Sequence, residues 1–315
     1  MTQKTPNQPP SRAFFHPGGF AKLDAKPLSD AERLRWLVAM FARLQSRSMT
    51  AKLTVVSFPL GALLGAAVLA LFTRIPQLME LLGDDRRVFV TEKAMPILFG
   101  MNLLTAFLQT TIWVAPAIAA DVQSGALLLY FSRPLRRRDY LLARFLAATI
   151  VTWLELASAA VLLVLVQIAT FGVTFEHGSL AGGLIFWFLL ALGEVLVSLF
   201  AAAVISAVAL GCSALARSTN GAPLLFAGLL LGSIPLSLVL GNISGNGPLF
   251  QAFNLSQGMN AVHELLMHLL SPQPMPHGLV LKAFAGAALW SGLALGAWQL
   301  LVRLLRNPPM GKGRA

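Results

Sequence analysis

The length of the apolar runs limits this chain more than any other feature. Residues 53–72, 97–119, 145–171, 184–210, 223–240 and 283–302 form six nearly unbroken apolar stretches. Core strands need only about 4–8 such residues, whereas a helix needs about 20 to cross the roughly 30 Å of a bilayer's hydrocarbon. None of the six alternates polar with apolar residues, which argues against barrel strands. Charged residues are 12% of the 315, about half the roughly 25% of a soluble domain. A soluble enzyme is thereby excluded, and the chain is predicted to be an all-α, polytopic membrane protein with six transmembrane helices. The one cysteine, Cys212, excludes a disulfide scaffold and a Cys-ligated metal site.

The net charge of +11 follows the span boundaries. Nine Lys and Arg precede residue 53, and Arg133, Arg136, Arg137, Arg138 and Arg144 lie between spans two and three. Arg217 lies between spans four and five, and Arg303, Arg306, Lys312 and Arg314 follow span six. The other face holds only Arg74, Arg86, Arg87, Lys93 and Lys282, largely offset by Glu80, Asp84, Asp85 and Glu92. Basic loops stay in the cytoplasm, so both termini are predicted there, as an even number of spans requires. The surplus is explained by anionic lipid, and a nucleic-acid partner is not expected.

Outside the spans, residues 1–28 are rich in Pro, Gly and polar residues and read as a disordered cytoplasmic leader rather than a signal peptide. Ser29 and Glu32 have capping-box spacing and predict a helix start. Leu34, Leu37, Val38, Phe41 and Leu44 then recur with helical period, so residues 29–50 read as an amphipathic helix along the inner leaflet; the alternative is that they continue span one. Residues 51–305 are expected to form the six-helix membrane domain, and 306–315 a cytoplasmic tail. Within the former, about 250–270 are expected to be a helix resting on or dipping into the outer leaflet.

Several motifs are absent or misleading. No GxxxxGK[ST] occurs, so a P-loop is not available for nucleotide phosphates. In His263-Glu264-Leu265-Leu266-Met267-His268 the histidines are five apart, about 140° around a helix, rather than the four of a zinc-protease motif. Both read as interfacial polar residues, with no metal site. Gly61 with Gly65 and Gly292 with Gly296 have the spacing that lets helices approach closely within a bundle.

The stretch between spans two and three, DVQSGALLLYFSRPLRRRDYL at 121–141, is the most informative. It reads as a short helix capped by acid, then a break at Arg133-Pro134, because a residue before proline avoids the α region. A basic turn then leads into span three. A helix followed by an enforced corner is suited to passing motion from a soluble partner into the membrane.

These residues resemble the permease subunits of ABC transporters of the ABC-2 type. The family's motif, acidic-x-x-x-G-[STA]-L-x-x-[LY]-x-[ST]-x-P-[LIV]-x-R, is matched by Asp121, Gly125, Ala126, Leu127, Tyr130, Ser132, Pro134, Leu135 and Arg137, and further on by Tyr140, Leu141, Ala143 and Arg144. The layout from about residue 30 to 305 is similar as well. The resemblance implies a six-span exporter fold and a coupling helix at about 120–131 seated in a separate ATPase subunit. Asp121, Ser124, Gly125, Leu127, Tyr130, Arg133 and Pro134 would carry that contact. By the same analogy the loop around Arg217 and Asn220 is a second, smaller one. A second permease chain completes the implied unit, with ATP and Mg on the partner ATPase, no cofactor in this chain, and a bacterial inner membrane as the location. The longer leader departs from the family's pattern.

Two carboxylates, Glu155 and Glu194, lie inside predicted spans, where a charge costs ~2.5–3.5 kcal/mol on insertion scales. Counted from the outer ends of their spans they differ in depth by roughly 9 Å at 1.5 Å per residue, which argues against a tight acid pair. At least one is expected to line the translocation cavity or to stay protonated through desolvation; the alternative is a neutral Glu that bonds a neighbouring helix. Competing functions are a membrane anchor for an ATPase that drives an envelope or motility machine, and a secondary transporter, which inverted repeats would support.

Overall fold

The computed structural model describes residues 29–46, 67, 95–131, 135–172, 180–216, 218–244, 247–270 and 274–306. The leader, the first predicted span apart from residue 67, residues 307–315, Arg133, Pro134 and Arg217 lie outside the described residues. Among the described residues the chain is all-α, in ten helices: α1 (Asp30–Ser46), α2 (Met95–Trp113), α3 (Ala117–Gln123), α4 (Ala126–Phe131), α5 (Arg137–Phe171), α6 (Leu180–Ala216), α7 (Gly221–Ser244), α8 (Gly247–Gln251), α9 (Leu255–Leu270) and α10 (Leu279–Arg306).

Five helical stretches are long and apolar enough to cross a membrane: Met95–Gln123, Arg137–Ala169, Leu180–Ala216, Gly221–Ser244 and Leu279–Leu304. They correspond to predicted spans two to six, and the chain is an integral, polytopic membrane protein. At 35 and 37 residues, α5 and α6 run about 52 and 55 Å, well beyond the roughly 30 Å of hydrocarbon, so their ends project past it. α7 continues through Pro235 and turns Leu224, Leu231 and Leu238 outward, as a lipid-facing helix does.

The α5–α6 hairpin is the most extensively packed pair and forms the centre of the bundle. Its register is pinned where the Trp153 indole N–H donates to the Val195 carbonyl at 3.1 Å. α6 packs on α10 through Gly211, where a Cβ would come within 2.6 Å of the Ala297 Cβ. The expected small-residue contact at Gly292 and Gly296 is not used among the described residues, since a Cβ at either would meet nothing within 4 Å. Gly61 and Gly65 lie outside the described residues.

Two amphipathic segments pack closely on the rest of the bundle. The capping box of α1 forms: Ser29 N donates to Glu32 Oε2 at 2.9 Å, and Glu32 N to Ser29 Oγ at 3.3 Å. The apolar stripe of α1, however, packs on α5, with Leu37 and Phe41 buried and Leu34 and Val38 half-buried against the core, leaving Trp36 and Leu44 outward. Similarly, α9, expected to rest on or dip into the outer leaflet, packs against α10, α2 and α6. Its buried face carries Gly258 and Ala261, which let the backbones close up. A Cβ on Gly286 of α10 would lie 2.8 Å from the Gly258 Cα.

Candidate functional site

The corner between α2 and α5 is built by breaks in helical hydrogen bonding. Val114 N and Ala115 N both donate to the Thr110 carbonyl, at 3.0 and 2.9 Å, and Pro116 has no N–H to continue the series. α3 then sets off with its first donors satisfied from another helix: Ile118 N and Ala119 N both donate to the Ser213 Oγ of α6 at 3.0 Å. Asp121, expected to cap this segment, does not do so. It lies in the second turn of α3, and Ser213 supplies the cap from nearly a hundred residues away.

The Asp121 side chain instead turns inward. Its Oδ2 accepts from the Tyr140 hydroxyl at 2.5 Å, from Arg144 Nε at 3.1 Å, and from Arg144 Nη2. All three residues are buried, Tyr140 completely. The i,i+4 spacing of Tyr140 and Arg144 puts both on one face of α5, aimed at α3. Charge-assisted bonds of this kind are the strong ones, and every charged group here has a partner.

Aromatic rings close over the charge. Arg144 Cζ lies 3.9 Å from the Phe41 ring centroid. Phe41 meets Tyr130 and Tyr140 edge-on, at 6.1 and 5.7 Å, and Phe131 meets Tyr140 at 6.0 Å. The stripe of α1 is therefore an integral part of this corner. Burial, and secondarily the Asp121 carboxylate, push the Tyr130 phenol above its ordinary value.

The single helix expected over about 120–131 is two. Gly125 adopts φ +71° between α3 and α4, a left-handed conformation that side-chain-bearing residues avoid, and the chain bends there. Leu127 is buried in the core, Tyr130 is half-buried, and Val122, Gln123 and Ser124 form an exposed edge. Arg136, Arg137 and Arg138 are exposed at the start of α5. The second predicted contact adjoins the first, because Thr219 Oγ1 donates to Gln123 Oε1 at 3.0 Å. Ser218 Oγ accepts from Gly221 N at 2.9 Å and starts α7.

The two intramembrane carboxylates have different partners. Glu155 on α5 accepts from the Gln109 amide on α2, while Glu194 Oε1 on α6 lies 2.7 Å from His263 Nε2 on α9. Their depth offset is smaller than the roughly 9 Å expected. Glu155 lies 16 residues before the end of α5 and Glu194 lies 14 after the start of α6, about 3 Å of difference, in keeping with the Trp153–Val195 bond. His263 is fully buried among side chains, with Phe99 stacked on it at 4.3 Å and an interplanar angle of 5°. Among the described residues no group of three or more His, Cys, Asp or Glu side chains could hold a metal ion.

Ser213 and Thr219 are contributions that sequence reasoning missed, and so is the pairing of His263 with Glu194. Ser and Thr carry no spacing signal at such separations, and the face of His263 was marked only by the small residues Gly258 and Ala261. Comparison with known proteins gives one family: a model described as ABC-2 family transporter protein matches residues 93–307. No curated protein matches the chain.

Proposed function

The chain belongs to the ABC-2 transporter family, a membrane permease component, and from that premise we propose that it is the transmembrane subunit of an ATP-driven exporter. On this reading a separate ABC ATPase seats against the exposed edge of α3–α4, ATP and Mg bind to that partner, and a second permease chain completes the pathway. The corner end of the bundle is then cytoplasmic, as are both termini, in a bacterial inner membrane, with α1 at the inner leaflet and a sixth span among residues 53–72. Gln123 and Ser124 would meet the ATPase, together with Arg133, Pro134 and Arg217, while Gly125 sets the bend and Asp121, Leu127 and Tyr130 transmit force inward. Glu155 and Glu194 would face or flank the pathway.

The observation that carries this reading is the Asp121–Tyr140–Arg144 network. It fastens a short helix pair at the end of one spanning helix to the body of the next, so a push on α3–α4 displaces α5 as a unit rather than bending a loop. Such an element can bias a two-state bundle.

The test is co-purification of the tagged full-length chain with a soluble ATPase from its own membranes, repeated with Ser124→Arg and Val122→Glu. The parent should retain the ATPase and both variants should lose it while still inserting in the membrane. Retention by both variants, or recovery of no ATPase by the parent, overturns the proposal. ATP turnover indifferent to every cargo tested, in a complex that assembles normally, would point to the anchor function.

A further inference from the structure

α9 is held to the bundle along two edges of different character. Toward α10 the contact is backbone on backbone: a Cβ on Gly286 would lie 2.8 Å from Gly258 Cα and 2.8 Å from its carbonyl oxygen. Trp290 Nε1 also donates to the Ala252 carbonyl at 3.0 Å. Backbone atoms in such contact cannot give way. Toward α6 the contact is made by side chains, with Leu266 lying over Gly193 and Glu194 bonding His263. Leu266 can change rotamer, and the polar pair can separate. One edge of α9 is therefore built as a pivot and the other as a closure.

The chemistry of the pair supports the second role. A buried ion or polar pair is poor value as a purely structural contact, because well-packed apolar side chains of similar volume hold as well or better. Among the described residues Glu194 Oε2 and His263 Nδ1 have no hydrogen-bond partner, so this part of the bundle only half satisfies the pair. Polar groups left in that condition favour a state in which they meet water. Phe99 stacks on the His263 ring and fixes its plane, which aims Nε2 at the carboxylate.

Resting on the reading of the chain as the membrane subunit of an ATP-driven transporter, we infer that Glu194 and His263 form a latch that closes the α9 side of the translocation pathway and parts in each cycle, α9 turning about the Gly258–Gly286 contact. His263 is the positioning residue, since it orients and holds Glu194 rather than touching cargo. When the latch parts, the carboxylate and imidazole are both presented to the opened space.

The experiment uses the full chain with Cys212→Ser, into which Gly193→Cys and Leu266→Cys are introduced together. A Cβ at 193 would lie 3.1 Å from Leu266 Cγ, so the two thiols face each other, and the second substitution removes the carbons the first would strike. In the complex with its ATPase, without nucleotide, the disulfide should form readily when a mild two-electron oxidant such as copper phenanthroline with oxygen is added. It should cut ATP turnover at least tenfold, and reduction should restore it. Turnover by the oxidised complex at the parent rate would overturn the latch, whereas failure to recover any ATPase with the parent would overturn the transporter reading instead. A partner-free arm decides the latch in that event. His263→Phe keeps the ring against Phe99 but deletes the bond, and should lower the rate of disulfide formation several-fold, while Glu194→Gln, which still bonds the imidazole, should stay near the parent. Amide exchange along α9 in His263→Phe, without any added cysteine, should accelerate by a similar factor. Unchanged cross-linking and unchanged exchange in His263→Phe refute the latch directly.

Discussion

Asp121 and Glu194 are both buried carboxylates in a membrane protein, and the bundle treats them in opposite ways. Asp121 accepts three hydrogen bonds from two residues on a single helix, and aromatic rings cover the arginine that neutralises it. Glu194 meets one ring nitrogen on one oxygen, and its other oxygen has no partner among the described residues. The first arrangement holds α3 against α5 as one body. The second joins α6 to α9 through a contact whose members lose little by parting. A fully satisfied network suits the element that must transmit force, and a half-satisfied pair suits the element that must let go.

The largest expected effect follows from breaking the better-satisfied network. Asp121→Ala strands the Arg144 guanidinium and the Tyr140 hydroxyl in the interior and should cost about 3–5 kcal/mol of stability. Glu194→Ala strands a single imidazole and should cost about 1–3 kcal/mol. Denaturant unfolding of the detergent-solubilised full chain, followed by tryptophan fluorescence, measures both. Equal losses would erase the distinction between the two regions.

Double substitutions sharpen it. Glu194→Met with His263→Leu removes both polar members and should return to within about 1 kcal/mol of the parent, since nothing unsatisfied remains. Asp121→Leu with Arg144→Met should stay well below the parent, because Arg144 also lies over Phe41 and Tyr140 and Tyr140 still lacks an acceptor. The same unfolding curves decide, and recovery at both sites or at neither would show that the two pairs are energetically alike.

How far each region was legible in the sequence follows from what each depends on. The spans were legible because the bilayer acts on composition, run by run, with no need to know neighbours. At the corner the break before α5 could be read locally, whereas the bend at Gly125 fell inside what read as one helix, and Tyr140 and Arg144 stood out only as matches to the family's motif. That their common partner is Asp121, and that Phe41 of α1 roofs them, could not, because those contacts join segments whose relative placement only the packed bundle defines. α1 itself has the pattern of a helix on a membrane surface, but the same pattern serves a helix lying on protein, and α5 supplied the protein. α9 is the sharper case. A helix with one polar and one apolar face reads as interfacial until it is known that Gly258 meets Gly286 and that His263 finds an acid 69 residues away in sequence. The small residues on its buried face were the available signal, and they are informative only when a facing glycine is identified.

A smaller effect is expected at the bend that aims α3–α4. Gly125 sits at φ +71° with nothing among the described residues within 4 Å of where a Cβ would be, so a side chain there is opposed chiefly by backbone strain. Gly125→Ala should cost about 1–2 kcal/mol, and Gly125→Asn less, since Asn tolerates the left-handed region. Stability loss of that order with ATPase retention falling alongside would tie the bend to docking. A full loss of retention with no change in stability would mean that the glycine itself touches the partner.

The smallest effect concerns how α1 is held, and it tests whether the corner owes its rigidity to packing or to the capping box. Bonds from Ser29 depress the Glu32 carboxyl below its ordinary value near 4.5. A depressed carboxyl orders the helix start above the unfolded value, and that order is lost as pH falls through the lower folded value. Amide exchange in the first turn of α1, corrected for intrinsic rates, should therefore quicken as pH drops below about 4.5, and Ser29→Ala should give the quicker rate already at neutral pH. Exchange from Leu37 onward should not follow, because there α1 is held by the burial of Leu37 and Phe41 against α5. Should Ser29→Ala also loosen amides around Phe41, the roof over Arg144 would depend on the cap, and the corner would be no better fastened than the latch.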